Sequence, residues 1–114
     1  VLDNRMDALI VSTSAGATAY SLSAGGPIID PRLNAILVTP VAPFNLSLRP
    51  IVLPEEAVIR LKIKSQDAIL IGDGFYNQRM SLNDEVKITL GDEIKIVKFT
   101  KNFYFRLRRR ATWV

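Results

Sequence analysis

The sequence predicts an all-β fold, a sandwich-like domain of antiparallel strands with one or two short helices. Three observations support this prediction: short apolar runs separated by turn residues, strict apolar–polar alternation from Ala57 onward, and six prolines that leave little room for a long helix. The chain has 114 residues, 48% of them apolar and 23% charged, which is typical of one globular domain. We therefore expect residues 1–114 to form a single β-rich domain.

Two early strands are predicted by continuous apolar runs, ALIV at 8–11 and AILVT at 35–39. Runs without polar interruption are typical of strands that are covered on both faces. We therefore expect both strands to be buried on both sides.

The later strands are predicted by alternation. Apolar side chains at 59, 61 and 63 alternate with basic ones, which is the period of a strand with one buried face. The same period returns at 86–90 and at 94–96, and the pairs Asn83-Asp84 and Gly91-Asp92 mark turns. The second half of the chain is therefore predicted to be a meander of short antiparallel strands.

Two segments have helical features. ATAYSLSA at 17–24 is rich in alanine and ends at Gly25-Gly26-Pro27, a typical helix stop signal. Near the C-terminus, apolar residues at 103, 107, 111 and 114 fit one face of a helix, whereas those at 103, 105 and 107 fit a strand. The sequence predicts the first helix and leaves the second segment open.

The composition excludes several kinds of chemistry. Cysteine and histidine are both absent, which removes thiol nucleophiles, imidazole bases and the usual zinc ligands. No apolar run is long enough to span a bilayer and no signal-peptide pattern is present, so we expect a cytoplasmic protein without a membrane partner. Any chemistry must use carboxylates, lysines, hydroxyls or the backbone.

The positive charge is concentrated at one end of the chain. After Glu93 the sequence carries seven basic residues and no acidic one, although the whole chain has a net charge of only +4. Such a segment is compatible with nucleic acid, a phosphorylated ligand, an acidic partner or simply a solvated helix face. A nucleic-acid partner has no other support in the sequence and is not expected.

The sequence GDG at 72–74 has two interpretations. Glycine-aspartate-glycine can hold phosphates near backbone amides, as in nucleotide kinases. Here it follows the apolar strand DAILI, and Asp-Gly is also typical of a hairpin turn with positive φ. We predict the turn. The acidic pairs Glu55-Glu56 and Asp92-Glu93 are likewise predicted to be solvated turn residues.

The glycine-rich stretch STSAGATAYSLSAGGPI at 12–28 is either a structural turn or a ligand site. It contains neither a Walker loop nor the G-x-G-x-x-G fingerprint. A strand enters a turn of small residues, and free amides at the start of the following helix would attract hydrogen-bond acceptors. Tyr20 adds a flat face on which a base could stack, and Asp7 precedes the same strand.

The order of these residues resembles the NAD kinase family (ATP-NAD kinase, or inorganic polyphosphate-ATP-NAD kinase). MDALIVSTSAGATAYSLSAGGPIIDP is similar to the family's D-G-L-I-V-x-T-x-x-G-x-T-A-Y-x-x-S-A-G-G-P, and TPVAPFNLSLRPIVLP to its next block. ILIGDGFYNQRMSLNDEVKI resembles the family's D-G hairpin and FYFRLRRRATW its terminal motif. Ala8 stands where the family usually has glycine and Ser14 where it often has proline, while Arg110 and Ala111 replace a lysine and a leucine. The last two replacements concern the terminal segment rather than the ligand site.

The resemblance covers the C-terminal, NAD-binding β domain of that family. It implies that the N-terminal α/β domain, which carries the G-G-D-G phosphate loop, is absent from these residues. The expected function is NAD(H) binding and oligomerisation in an enzyme that phosphorylates the 2′-hydroxyl of NAD to form NADP. ATP, or polyphosphate, and a divalent metal are expected only with the other domain, so this piece alone is expected to be inactive.

The resemblance also implies which residues meet NAD: Arg5, Asp7, Thr18, Ala19, Tyr20, Ser23 and Ala42. Residues 18–20 and Ser23 would line the adenine side, with Tyr20 against the base. Asp7 would bond the nicotinamide ribose or carboxamide, and Ala42 would offer backbone to the nicotinamide end. No catalytic or metal-ligating residue is expected in this chain.

Two further arginines have less defined roles under the same resemblance: Arg5 as a phosphate contact and Arg49 as a structural one. In the family the NAD site is built across subunits, so a homo-oligomer is implied. The alternative hypothesis is a non-catalytic oligomerisation or binding module for anionic ligands or partners.

Overall fold

Residues 3–91 are described in the computed structural model of this chain. They form two compact units, residues 3–55 and residues 56–91, which we call the first and second units. Within them the elements are β1 (Ala8–Thr13), a helical segment α1 (Ala17–Ser21), β2 (Ala35–Val41), β3 (Ile51–Pro54), β4 (Ile59–Lys62), β5 (Ala68–Gly72), β6 (Tyr76–Met80) and β7 (Glu85–Ile88).

The first unit contains a three-stranded antiparallel sheet in the order β1-β2-β3. The central strand β2 is mostly buried, as its apolar run predicts. Pro40 fits in this strand because the pairing with β3 ends at Val38, so beyond that point β2 pairs only with β1 among the described residues.

The prediction that β1 is buried on both faces is wrong. Its inner residues are half-buried and its two ends are exposed. Among residues 3–91 it pairs only with β2, at the edge of the three-stranded sheet. An apolar run is therefore compatible with an edge position as well as a central one.

The core of the first unit joins its sheet to α1. Ala17, Ile29 and Leu37 form one buried cluster, and Leu37 is completely inaccessible. Leu37 belongs to the face of β2 that also carries Thr39, because alternate residues of a strand point to the same side. This face is covered by α1, which packs against the β1–β2 pair.

The second unit has two strand pairs, β4 with β7 and β5 with β6. The predicted alternation is confirmed in β4, where Ile59 is buried, Leu61 is half-buried and the basic neighbours are exposed. The predicted meander is wrong, since the β5–β6 hairpin is inserted between two strands that pair with each other. The amide of Ile63 and the carbonyl of Asp84 extend the β4–β7 pair by a 2.8 Å hydrogen bond.

The Asp-Gly turn of the second unit is confirmed. Asp73 and Gly74 have φ values of 53° and 80°, and the amide of Phe75 donates to the carbonyl of Gly72 over 3.2 Å. Both central residues are in the left-handed region, which matches the twist of a β-hairpin. GDG at 72–74 is thus a hairpin turn that joins β5 to β6.

The antiparallel, β-rich fold class is confirmed, with a single helical segment in residues 3–91. The sandwich-like packing and the single-domain organisation stay predictions. The predicted strand at 94–96, the basic end and the second helical segment lie outside the described residues. In the part of the chain that the structure describes, no helix has the length and apolar character needed to cross a membrane.

Candidate functional site

The helical segment α1 is short and kinked. Its hydrogen-bond pattern is π-type, and Ala19 interrupts it with non-helical angles, φ −93° and ψ −126°. Here Ala17 and Ser21 are buried at the two ends, while Ala19 and Tyr20 are exposed between them. Tyr20 has 76% of its surface accessible.

The amides that start α1 are not free for an anion, which corrects the expectation from the sequence. The Gly16 amide donates to the carbonyl of Thr13 over 3.1 Å and to its Oγ1 over 3.2 Å. The amides of Ala17 and Ala19 donate to the carbonyls of Ser14 and Gly16. These three donors hold the turn itself.

The exit of α1 follows the predicted stop signal. The Gly25 amide donates to the carbonyl of Leu22 over 3.0 Å, and Gly25 has a φ of 88°, in the left-handed region that favours glycine. The Gly26 amide then donates to the carbonyl of Ser21 over 2.8 Å. The chain therefore turns sharply and returns towards the sheet.

A buried pair of hydroxyl groups joins α1 to β2, and sequence reasoning missed it. Ser21 Oγ lies 2.8 Å from Thr39 Oγ1, and the two side chains are 1% and 0% exposed. The only sequence signal was a threonine inside an otherwise apolar strand. Its partner lies 18 positions away, a separation that the pattern of either segment does not reveal.

A second group of predicted site residues lies where β1 begins and β2 ends. The Asp7 amide donates to the carbonyl of Val41 over 3.0 Å, and the Phe44 amide donates to the carbonyl of Arg5 over 2.8 Å. Ala42 lies between these two bonds with a φ of 47°, uncommon for a residue other than glycine. The structure thus brings Arg5, Asp7 and Ala42 together, all three exposed.

The predicted residues therefore form two groups. We call Thr18, Ala19, Tyr20 and Ser23 the helical group and Arg5, Asp7 and Ala42 the strand-end group. Thr39 connects the two groups. Its hydroxyl is hydrogen-bonded to Ser21 of α1, and it precedes Ala42 by three positions, about 10 Å along a strand.

Arg49 stabilises the loop that follows the strand-end group. Its Nη1 donates to the carbonyl oxygens of Leu46 and Leu48, at 2.5 Å and 3.2 Å. These contacts agree with a structural role for Arg49.

The two predicted groups offer hydrogen-bonding and stacking surfaces but little reactive chemistry. The helical group offers an aromatic face and two hydroxyls, and the strand-end group offers a carboxylate, a guanidinium and backbone. Among residues 3–91, no three histidine, cysteine, aspartate or glutamate residues form a group that could hold a metal ion. The described residues thus define a β-rich domain whose candidate site offers one flat aromatic face and several hydrogen-bonding groups.

Comparison with known proteins gives the family. Residues 1–99 match the family described as the ATP-NAD kinase C-terminal domain. The chain belongs to this family, which confirms the resemblance seen in the sequence.

Two full-length relatives illustrate the match. An NAD kinase from Methanothermobacter thermautotrophicus is 42% identical over 109 residues, which cover 93% of this chain and 38% of that protein. An NAD kinase from Methanosarcina barkeri is 44% identical over 112 residues, which cover 95% of this chain and 41% of that protein. The chain thus spans about two fifths of the length of these relatives.

Solved structures agree with the fold. The crystal structure of yeast NADH kinase complexed with NADH matches with a TM-score of 0.75 and 42% identity, over 78% of this chain and 26% of that chain. An NAD kinase from Archaeoglobus fulgidus in complex with ATP matches with a TM-score of 0.68 and 34% identity, over 78% of this chain and 34% of that chain.

Proposed function

We propose that this chain is the NAD(H)-binding domain of an enzyme that transfers a phosphoryl group from ATP or polyphosphate to the 2′-hydroxyl of NAD, forming NADP. The observation that carries the proposal is the presentation of Tyr20: a kinked segment anchored at both ends holds its ring in solvent. A base can stack on such a ring, and Thr18 on this segment and Ser23 just after it can donate or accept hydrogen bonds at the nucleoside.

The strand-end group suits the other half of a dinucleotide. The Asp7 carboxylate is an acceptor for ribose hydroxyls or a carboxamide, and the Arg5 guanidinium is a donor for phosphate oxygens. The strained backbone at Ala42 is held by the hydrogen bonds of its neighbours, a common feature of ligand-binding backbone.

In this proposal the chain contributes positioning to phosphoryl transfer. Holding the 2′-hydroxyl in line with a phosphoryl group can supply a large part of the rate enhancement, while metal-bound phosphates supply charge stabilisation. The acidic residues described in 3–91 do not fit a metal site, so we derive no step through a metal. We expect the 114-residue chain to form no NADP from NAD and ATP by itself, because its sequence contains no G-G-D-G phosphate loop.

We also propose that the functional form is a homo-oligomer in which the site is completed between copies. Phe44, whose amide bonds the strand-end group, has 84% of its surface exposed, and Leu46 lies exposed beside it. Exposed apolar side chains next to a ligand site favour association with another protein surface.

The proposal is tested by titrating NADH fluorescence with the chain and with Tyr20→Ala, Tyr20→Phe and Asp7→Asn. We expect wild type and Tyr20→Phe to bind similarly, because both keep the ring, and Tyr20→Ala to bind at least tenfold more weakly. Asp7→Asn should bind more weakly because it loses a charged acceptor. Phe75→Ala removes an equally exposed ring from the second unit and should bind as wild type does.

Light scattering on the same samples separates the two hypotheses. If Tyr20→Ala lowers NADH affinity and the molar mass is unchanged, the ligand role is supported. If the molar mass falls and the affinity is unchanged, the oligomerisation module is the better description. A monomeric wild-type chain at high concentration would contradict the oligomer.

A further inference from the structure

We propose that Ser21, Thr39 and Gly26 are positioning residues, which form a lock that fixes the direction of the ligand-facing side chains on α1. The inference rests on the proposed function of the helical group. All three residues are buried, so none of them can make an extensive contact with a ligand. Their effect on binding must therefore act through the residues that they hold.

The first part of the lock is the hydroxyl pair. Ser21 Oγ and Thr39 Oγ1 are 2.8 Å apart in a buried environment. A buried hydroxyl that loses its partner retains an unsatisfied polar group, which is unfavourable. The pair thus ties α1 to one position of β2 and disfavours movement along the strand.

The second part of the lock is the close approach of Gly26. A Cβ placed on Gly26 would lie 2.3 Å from Ser21 Oγ, 2.8 Å from the Ser21 carbonyl and 2.9 Å from Thr39 Oγ1. The Gly26 amide also donates to that carbonyl. Only glycine leaves room for the chain after α1 to pass the hydroxyl pair. This stretch, α1 and β2 therefore meet at one point.

The lock acts on Tyr20 through the chain itself. Ser21 follows Tyr20 directly, and the amide of Ala24 donates to the carbonyls of both residues, at 3.1 Å and 3.2 Å. The kink at Ala19 removes the regular helical geometry that would otherwise fix the side chains between Ala17 and Ser21. Their direction is therefore set by the two buried ends, and Ser21 is the end whose side chain is tied to the sheet by a hydrogen bond.

The lock also sets the spacing between the two groups of the site. Thr39 belongs to the strand that continues to Ala42, so a shift of Ser21 relative to Thr39 changes the distance between the groups. A misplacement of about 1 Å between reacting groups can lower a reaction rate about 100-fold, so this spacing matters for the proposed phosphoryl transfer.

The test uses the hydroxyl pair in single and double variants. Thr39→Val removes one hydroxyl and keeps the shape of the side chain, whereas Thr39→Ser keeps the hydroxyl. We expect Thr39→Val to lower NADH affinity by about tenfold or more, and Thr39→Ser to remain within about twofold of wild type. Retention of affinity by the conservative variant ties the effect to the hydrogen bond.

The double variant Ser21→Ala/Thr39→Val separates positioning from stability. Removing both hydroxyls leaves no unsatisfied partner, so the stability should return towards that of wild type. If the pair positions α1, the affinity for NADH should remain low although the melting temperature recovers. An affinity that recovers together with the melting temperature would overturn the proposal.

A matched pair of glycine variants tests the second part of the lock, the close approach of Gly26 to the hydroxyl pair. Gly26→Ala introduces the contacts described above and should lower NADH affinity. Gly25→Ala strains a φ of 88° but its Cβ meets nothing within 4 Å, so it should lower the melting temperature with little change in affinity. Equal effects of the two variants on affinity would contradict the lock.

Hydrogen exchange distinguishes failure of the lock from failure of the proposed function. If wild type does not bind NADH, the proposed function fails, but the lock is still tested by exchange at the amides of Ala24 and Gly26. Faster exchange there in Thr39→Val than in Thr39→Ser supports the lock. Equal exchange in the two variants overturns it, whatever the ligand result.

Discussion

The two units of this chain are stabilised in different ways. In the first unit a central strand, the two ends of α1 and two hydroxyl groups are buried together. In the second unit, among residues 56–91, only Ile59 and Met80 are buried. Its larger apolar side chains are mainly exposed, as at Ile69 and Ile71 on one face of the β5–β6 hairpin. The first unit is thus specified by packing, and the second mainly by strand pairing and turns.

This difference explains why the predicted ligand residues occur in the first unit. A binding group must be held in one orientation, and close packing holds it more firmly than an exposed hairpin does. Two-stranded hairpins are marginally stable by themselves in water, so turn geometry and cross-strand pairs matter more in the second unit. Variants in the two units should therefore differ in how much stability they lose.

The largest effect is expected for Leu37→Ala. Leu37 is fully buried in β2 against Ala17 and Ile29, so truncation should lower the free energy of unfolding by about 2–5 kcal/mol. Urea denaturation measures the change. The matched control is Ile69→Ala in the second unit, where the side chain is 62% exposed and the expected loss is about 0.5 kcal/mol or less. Comparable losses in both variants would contradict the comparison.

A smaller effect is expected for Gly74→Ala in the hairpin turn. Gly74 has a φ of 80°, and an alanine in the left-handed region costs about 1–2 kcal/mol. The control Gly91→Ala also introduces a Cβ into open space, but that glycine lacks a positive φ, so no loss is expected. Thermal melting of both variants gives the difference. A Gly74→Ala melting temperature no lower than that of Gly91→Ala would show that the turn does not limit the second unit.

The smallest effect is expected for Lys87→Glu on β7. Lys87 pairs with Arg60 across the β4–β7 ladder, and both are exposed. Replacing a like-charge pair by an opposite-charge pair should stabilise the protein by about 0.2–1 kcal/mol at low salt. Lys62→Glu, opposite Glu85, makes the reverse change and should destabilise it. The difference between the variants should shrink in 1 M salt because of screening; a salt-independent difference would exclude the electrostatic cause.

Much of the local structure was predictable. The strands predicted within residues 3–91, the Asp-Gly turn and the helix stop before Pro27 depend on neighbouring residues, and the structure has each of them. The partner of each strand was not predictable in the same way. Alternation in β4 indicates a buried face but does not say that its partner is β7 rather than β5.

The candidate site was likewise predictable only in part from the sequence. The order of residues around T-A-Y and S-A-G-G-P pointed to a dinucleotide, and the match over residues 1–99 supports the same family. The sequence did not reveal that the amides at the start of α1 are occupied, or that Gly26 faces Ser21 and Thr39. Both facts depend on how the chain folds back on the sheet.

The sequence by itself determined the local elements and the family, because strand period, turn chemistry and motif order are properties of neighbouring residues. Only the tertiary structure decided which strand is at the edge, how the hairpin is inserted, and where Ser21 meets Thr39. The physical reason is that long-range contacts form between segments whose local patterns are compatible with several partners. The buried hydroxyls of Ser21 and Thr39 and the limited space at Gly26 select one arrangement among these possible partners.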